Sequence, residues 1–249
     1  MSERVYPPII AAAKLAFRLL KLRFVTVGLE QVPPAGGAVL VSNHVSYLDF
    51  IFCGFAAQPS RRLVRFMAKD AVFRHKVSGP LMRGMHHIPV DRSAGAAAYD
   101  AAVAALRRGE LVGVFPEATI SRSFTLKEFK TGAARMAIAA GVPIVPMVTW
   151  GGQRMMTKGR QRDFRRGRTI ALTVGEPLRP GPDADPVAVT ADLRERMAAL
   201  LERTWAAYPD TPDGPDDGFW VPAHLGGTAP TREQAAALEA TERTQLAAS

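Results

Sequence analysis

The chain has 249 residues with near-average hydrophobic (47%) and charged (22%) fractions. That is enough to bury a core without cross-links, and one cysteine, Cys53, excludes a disulfide framework or a Cys-based zinc site. Lys and Arg total 32 against 23 Asp and Glu, but residues 209–249 hold seven acids and two bases, so residues 1–208 carry thirty bases against sixteen acids. A body this basic attracts nucleic acid, an anionic membrane or phosphorylated substrates. No apolar run reaches transmembrane length and no secretory leader opens the chain, so a cytoplasmic location is expected.

Residues Pro8–Phe24 read as a helix opened by proline, with Lys14, Arg18 and Lys21 in one basic stripe and leucines and phenylalanines over the remaining arc. That pattern suits a helix lying in a membrane interface, or equally one docked on its own domain. Short apolar runs at Ala38–Ser42, Val64–Ala68, His87–Val90, Leu111–Phe115, Pro143–Thr149 and Thr169–Val174 read as strands. Helical stretches separate most of them: Tyr47–Ala57, Ala94–Arg108 closed by Gly109, and Thr131–Ala140 closed by Gly141. The helix Val189–Ala207 follows the last strand. Such alternation predicts an α/β single domain with a largely parallel central sheet flanked by helices, its functional groups at the carboxyl ends of strands. The expected organisation is an N-terminal amphipathic helix (1–30), a catalytic domain (31–208) and an acidic extension (209–249). Its first part, Pro209–Pro230, reads as linker or loosely packed loop and Thr231–Ala247 as a short helix.

Four clusters follow predicted strands. In Ser42–Asp49, His44 precedes Asp49 by five residues; a carboxylate on one imidazole nitrogen fixes the tautomer and readies the other as a general base. Ser46-x-x-Asp49 is also a capping box, so the carboxylate has a second, purely structural reading. The second cluster runs from Lys69 to Arg92 and ends Gly84-Met85-His86-His87-Ile88-Pro89-Val90-Asp91-Arg92, which delivers cations towards a site edge. His86 and His87 have no third ligand at usual spacing, which argues against a metal. The third, Phe115-Pro116-Glu117-Ala118-Thr119-Ile120-Ser121-Arg122-Ser123, puts polar groups beyond a strand end. The fourth, Gly141–Met147, is an apolar strand bracketed by prolines.

In this order the clusters resemble the four motifs of the glycerolipid (lysophospholipid) acyltransferases. Asn43-His44…Asp49 matches Asn-His-x4-Asp in full. Gly84…Arg92 is similar to the second motif, Phe115–Ser121 approximates Phe-Pro-Glu-Gly-Thr-Arg-Ser, and Val142-Pro143…Pro146 resembles Val-Pro-x-x-Pro. Phe129-Lys130-Thr131-Gly132 looks like the family's Phe-Lys-x-Gly run. The likeness covers residues 36–150, with a weaker extension to 208. It implies His44 as base and Asp49 as its orienter. Asn43, Lys69, Arg92, Glu117, Thr119, Arg122 and Lys130 are the implied substrate-binding residues. The implied reaction carries a fatty acyl group from acyl-CoA or acyl carrier protein, as co-substrate, to 1-acylglycerol 3-phosphate, with no metal and no further cofactor. Cys53 reads as core rather than nucleophile.

Two positions depart from the third motif: Ala118 stands where the family has Gly and Ile120 where it has Arg. Alanine is tolerated there unless the backbone needs a positive φ. Isoleucine cannot donate to a phosphate, which leaves Arg122 as the expected replacement and the acceptor open to another lysolipid or glycerol 3-phosphate. The segment Arg154–Arg168 sets seven bases against Asp163 and reads, with the first helix, as an anchor for an anionic membrane at the cytoplasmic face. The competing readings are a non-catalytic lipid-binding module and a nucleic-acid binder. The second is disfavoured because Phe164 is the only aromatic in the basic segment.

Overall fold

The computed structural model describes residues 3–91 and 95–247. Its centre is a seven-stranded sheet in the order β1 (Arg23–Val27), β7 (Thr169–Val174), β6 (Ile144–Trp150), β2 (Ala38–Ser42), β5 (Leu111–Val114), β3 (Val64–Lys69) and β4 (Ile88–Val90). Strands β6 to β4 run parallel, β1 and β7 run parallel to each other, and the two blocks meet in the antiparallel pair β6–β7. That reversal follows from the connection: after Trp150 the chain turns at Gly151 in a left-handed conformation and returns through residues 152–168 without a crossover helix.

Helices cover both faces, which is why the inner strands are apolar throughout rather than alternating. Along β2, Val39 and Val41 enter one core with α5 (Gly95–Arg107), α6 (Gly132–Ala140) and α7 (Pro186–Ala207). Ala38 and Leu40 enter the other, with Phe52 and Cys53 of α2 (Asp49–Ala56) and half-buried Phe17 of α1 (Tyr6–Leu19). Two short helices, α3 (Asp70–Arg74) and α4 (Ser78–Gly84), join β3 to β4.

The first helix is shorter than its sequence pattern predicts. It ends at Leu19, and Leu22 N–H bonds back to the Phe17 carbonyl at 2.9 Å across Lys21, whose φ is +50°. This is a Schellman-type stop with lysine at the left-handed position, so no glycine announces it. The expected helix therefore loses Lys21 from its stripe, and Phe24 lies instead on edge strand β1, packed against Phe17 and Phe55.

Residues 209–230 are not the loose linker expected. Trp220 and Ala229 are buried in the α5–α7 core, and Asp210 is ion-paired to Arg23 and Arg154 at 2.6 Å. The chain ends in α8 (Arg232–Ala247). The basic segment is an open patch only in part: Arg160, Arg162, Arg165 and Arg166 are exposed, while Arg154 and Arg168 are buried. Arg154 is buried against Asp210 with its guanidinium 4.3 Å over the Trp220 ring, and Arg168 and Arg165 both bind Asp163. Lys158 binds Glu242, and Arg160 lies over the Phe219 ring. Five of the seven bases expected to face a membrane are thus engaged within the protein.

Candidate active site

The carboxyl ends of β2, β5 and β6 lie side by side, and the loops leaving them build one network. Beyond Ser42 the chain turns so that Asp49, the first residue of α2, points back at its own loop. Its Oδ2 accepts from Val45 N–H and Ser46 N–H, each at 2.7 Å, and lies 2.9 Å from His44 Nδ1. A single oxygen thus both caps the turn and contacts the imidazole. Oδ1 accepts from the Thr149 hydroxyl at 3.0 Å. Asp49 is 1% exposed and His44 21%. A carboxylate at Nδ1 keeps the ring proton there and leaves Nε2 as the acceptor.

The ring is fixed from its other sides as well. Phe115 stacks on it, centroids 4.3 Å apart and planes within 20°. The backbone of His44 is gripped by the loop after β5: its N–H donates to Glu117 Oε1 at 2.9 Å and its carbonyl accepts from Ser121 N–H at 2.7 Å. Glu117 Oε2 accepts from Lys127 N–H at 3.1 Å, so this carboxyl ties the two loops together. Burial pushes its pKa up to about 8 against these hydrogen bonds.

The remaining expected residues divide. Asn43 is buried and turned away from the open side of His44, its amide exchanging hydrogen bonds with the Thr149 backbone at 2.8 and 3.0 Å; it is a strut between β2 and β6. Lys69 is exposed at the carboxyl end of β3, two strands from β2, and Lys130 is exposed just before α6 with its N–H closing the loop onto Pro116. Thr119 is half-buried in the same loop. Arg122 follows Ser121 but its guanidinium is ion-paired to Glu242 of α8. Arg92 lies outside the described residues. Ile120 is buried. Ala118 does take a positive φ, +57°, so the glycine of the third motif is replaced where the backbone is left-handed.

Thr149 was not singled out by sequence. The signal was available in the parallel register: Ser42 pairs with Met147, which sets Thr149 level with His44 one strand away. Phe115 was read only as a strand end. Cys53 is fully buried and its thiol pKa is raised by that burial, which leaves it in the core with no nucleophilic role. His87 Nδ1 accepts from Phe66 N–H, and no cluster of metal-ligating side chains occurs among the described residues.

Comparison with known proteins agrees with this arrangement. The family model described as Acyltransferase matches residues 23–150. A 1-acyl-sn-glycerol-3-phosphate acyltransferase of Bacillus subtilis is 30% identical over 70% of this chain and 80% of its own. One of Chlamydomonas reinhardtii is 31% identical over 70% of this chain and 52% of its own. The crystal structure of the 1-acyl-sn-glycerophosphate acyltransferase PlsC from Thermotoga maritima superposes with a TM-score of 0.69 at 25% identity, covering 82% of this chain and 80% of that one. With the match spanning β1 to β6 and containing His44, Asp49 and Glu117, the chain belongs to the acyltransferase family and is an O-acyltransferase.

Proposed function

We propose that this enzyme transfers a fatty acyl group from acyl-CoA or acyl carrier protein to the hydroxyl of 1-acylglycerol 3-phosphate, giving phosphatidic acid for phospholipid synthesis. The observation that carries the reading is the His44–Asp49 pair, its Nδ1 engaged at 2.9 Å and Nε2 left to accept a proton. His44 Nε2 takes the proton of the acceptor hydroxyl as its oxygen bonds to the thioester carbonyl carbon. The tetrahedral intermediate collapses with cleavage of the C–S bond, and the imidazolium returns its proton to the departing thiolate. Asp49 stabilises the imidazolium between these steps, an arrangement worth about 10²–10⁴ in rate. The relatives named for this acceptor support the choice of substrate.

Two further features support it. An apolar groove between α1 and α2 is lined by Ile9, Ala13, Phe17, Phe50, Phe55 and Phe66, and Phe66 stacks on Phe115, the ring that packs on His44. The groove's apolar lining offers contacts to an alkyl chain. On the outer side of α1, Leu15 and Leu19 are more than half exposed beside Lys14 and Arg18, a composition fit for the headgroup region. No helix among the described residues is long and apolar enough to cross a bilayer; the exposed basic and apolar face of α1 supports an interfacial position, which we place on the cytoplasmic leaflet. Among the described cations, Arg122 on the loop that holds His44, with Lys130 and Lys69, would take the acceptor's phosphate; Arg92, implied by the family likeness, lies outside the described residues.

The test is acyl transfer from palmitoyl- or oleoyl-CoA to lysophosphatidic acid in micelles, read by mass spectrometry, for the wild type and His44→Ala. Phosphatidic acid that disappears in the variant is expected. His44-dependent thioester hydrolysis without that product would move the acceptor to another lysolipid or glycerol 3-phosphate, consistent with Ile120 in the third motif. No turnover of any donor would return the chain to a binding role.

A further inference from the structure

The acidic tail does not end in solvent. Helix α8 lies on the loop that holds His44, and it does so through charge. Of its described side chains Ala235 alone is buried; Glu239 and Glu242, at i+4 and i+7 from it on the same face, are half-buried, and Leu238 is exposed. Glu239 contacts Lys127 Nζ with both oxygens, at 2.5 and 2.6 Å. Glu242 bridges Arg122 Nη2 and Lys158 Nζ, the latter at 2.7 Å. Arg232 Nε donates to Thr125 Oγ1 at 3.1 Å.

The three cations lie on segments that brace the loop carrying His44, Lys158 next to Thr157, whose hydroxyl donates to the Val45 carbonyl at 2.7 Å. Arg122 adjoins Ser121, whose N–H holds the His44 carbonyl, and the N–H of Lys127 holds Glu117. The carboxylate is also an imperfect partner for Arg122. The Arg122 side chain is 11% exposed, Glu242 takes only Nη2, and the buried Nε donates to no acceptor among the described residues. A phosphate monoester, with three terminal oxygens and up to two charges, can engage Nε and Nη2 together and reach Lys158 as well. A helix attached by one methyl group and by ion pairs in which Glu242, Lys127 and Lys158 stay a quarter or more exposed belongs to the part of a protein that opens first.

We infer that Arg122, Lys127 and Lys158 form a binding site for the phosphate monoester of a lipid head group, and that α8 is its internal competitor. Glu239 and Glu242 occupy the site in the free enzyme, and a phosphate-bearing lipid displaces the strap. That displacement limits catalysis only if the acyltransferase reading holds, but the exchange of anions does not depend on it.

Hydrogen exchange by mass spectrometry on the full chain, following residues 232–247, tests this. The additions are vesicles of phosphatidylcholine alone, the same vesicles with phosphatidic acid, and glycerol 3-phosphate at matched phosphate. Exchange of α8 is expected to accelerate about tenfold or more with phosphatidic acid and to stay unchanged with phosphatidylcholine. Acceleration by glycerol 3-phosphate too assigns the soluble phosphomonoester as sufficient; acceleration by the vesicles alone assigns phosphate displayed at a surface. Arg122→Ala/Lys158→Ala must lose the response. A response that persists in that variant, or α8 protection unchanged by every addition, overturns the proposal. Glu239→Gln/Glu242→Gln should open α8 without lipid and lower the apparent KM for lysophosphatidic acid about three- to tenfold with kcat within twofold. If wild type makes phosphatidic acid while α8 stays protected, the strap fails alone. If α8 responds but lysophosphatidic acid is not acylated, the strap stands and the proposed acceptor falls.

Discussion

Replacing Asp49 by asparagine separates the two jobs its carboxylate holds. An asparagine carbonyl at the Oδ2 position still accepts from Val45 N–H, Ser46 N–H and His44 Nδ1, and its amide donates to the Thr149 hydroxyl in place of accepting from it. The turn survives, so stability should change by about 1 kcal/mol or less, the net worth of one altered hydrogen bond. What disappears is the negative charge beside the imidazolium that forms during transfer. Charge centres about 4 Å apart at an effective dielectric of about 20 interact by about 4 kcal/mol, which predicts a fall in kcat of about a thousandfold. Asp49→Ala also strands two buried N–H groups and should cost about 2–6 kcal/mol of stability in addition. Thermal melts with steady-state kinetics on palmitoyl-CoA and lysophosphatidic acid make the comparison. An asparagine variant that keeps kcat within tenfold of wild type would reduce Asp49 to a cap and remove the argument for His44 as an assisted base.

Thr149→Val deletes the donor to Asp49 Oδ1 and leaves a buried charged acceptor short by one partner, at a cost of about 1.5–3 kcal/mol. kcat should fall about tenfold with KM unchanged, and Thr149→Ser should restore both. A valine variant with wild-type melting would remove Thr149 from the network. Ala118→Gly relieves a left-handed alanine, φ +57°, and should add about 1 kcal/mol, seen as a rise in Tm of about 2–4 °C; a fall in Tm would contradict that strain. Glu117 is protonated in the folded chain up to about pH 8 and in the unfolded chain only to its ordinary value of 4.5. Between those values the folded state binds the extra proton, so this group's contribution to stability declines as pH rises, by up to about 1.4 kcal/mol per pH unit. Denaturant titrations across that range should show Glu117→Gln lacking this component, and identical slopes for variant and wild type would refute it.

Much of the framework was legible because it rests on local signals. Gly109 and Gly141, both at positive φ, close the helices they were expected to close, and Ala38–Ser42 and Thr169–Val174 are strands at the expected residues. His44 and Asp49 were legible because five residues suffice to turn from a strand end into the first residue of a helix. What was missed depends on partners distant in sequence. Strand β1 is a strand because β7 is beside it, residue for residue from Arg23–Thr169 to Val27–Thr173, and nothing within residues 20–30 announces that pairing. Thr149 matters through Asp49, a hundred positions earlier. The helix stop at Lys21 lacks the glycine that marks most such stops.

Charge illustrates the same distinction with a functional consequence. The excess of bases in residues 1–208 is a property of composition, and composition alone assigned it to the surface. In the fold, Asp210 and Asp217 approach Arg154, while Glu239 and Glu242 approach Lys127, Arg122 and Lys158. Tail and body are thus complementary halves of one electrostatic system. The two contacts differ in kind. Around Asp210 the ion pairs are reinforced by Thr169 and by Trp220 under Arg154, deep enough that removing one partner would strand a buried charge. Around α8 they are accessible and backed by Ala235 alone among the described side chains. A lipid phosphate can compete for the second set and not for the first. The tail therefore has a fixed half, which completes the core, and an exchangeable half, placed on the loop that holds His44.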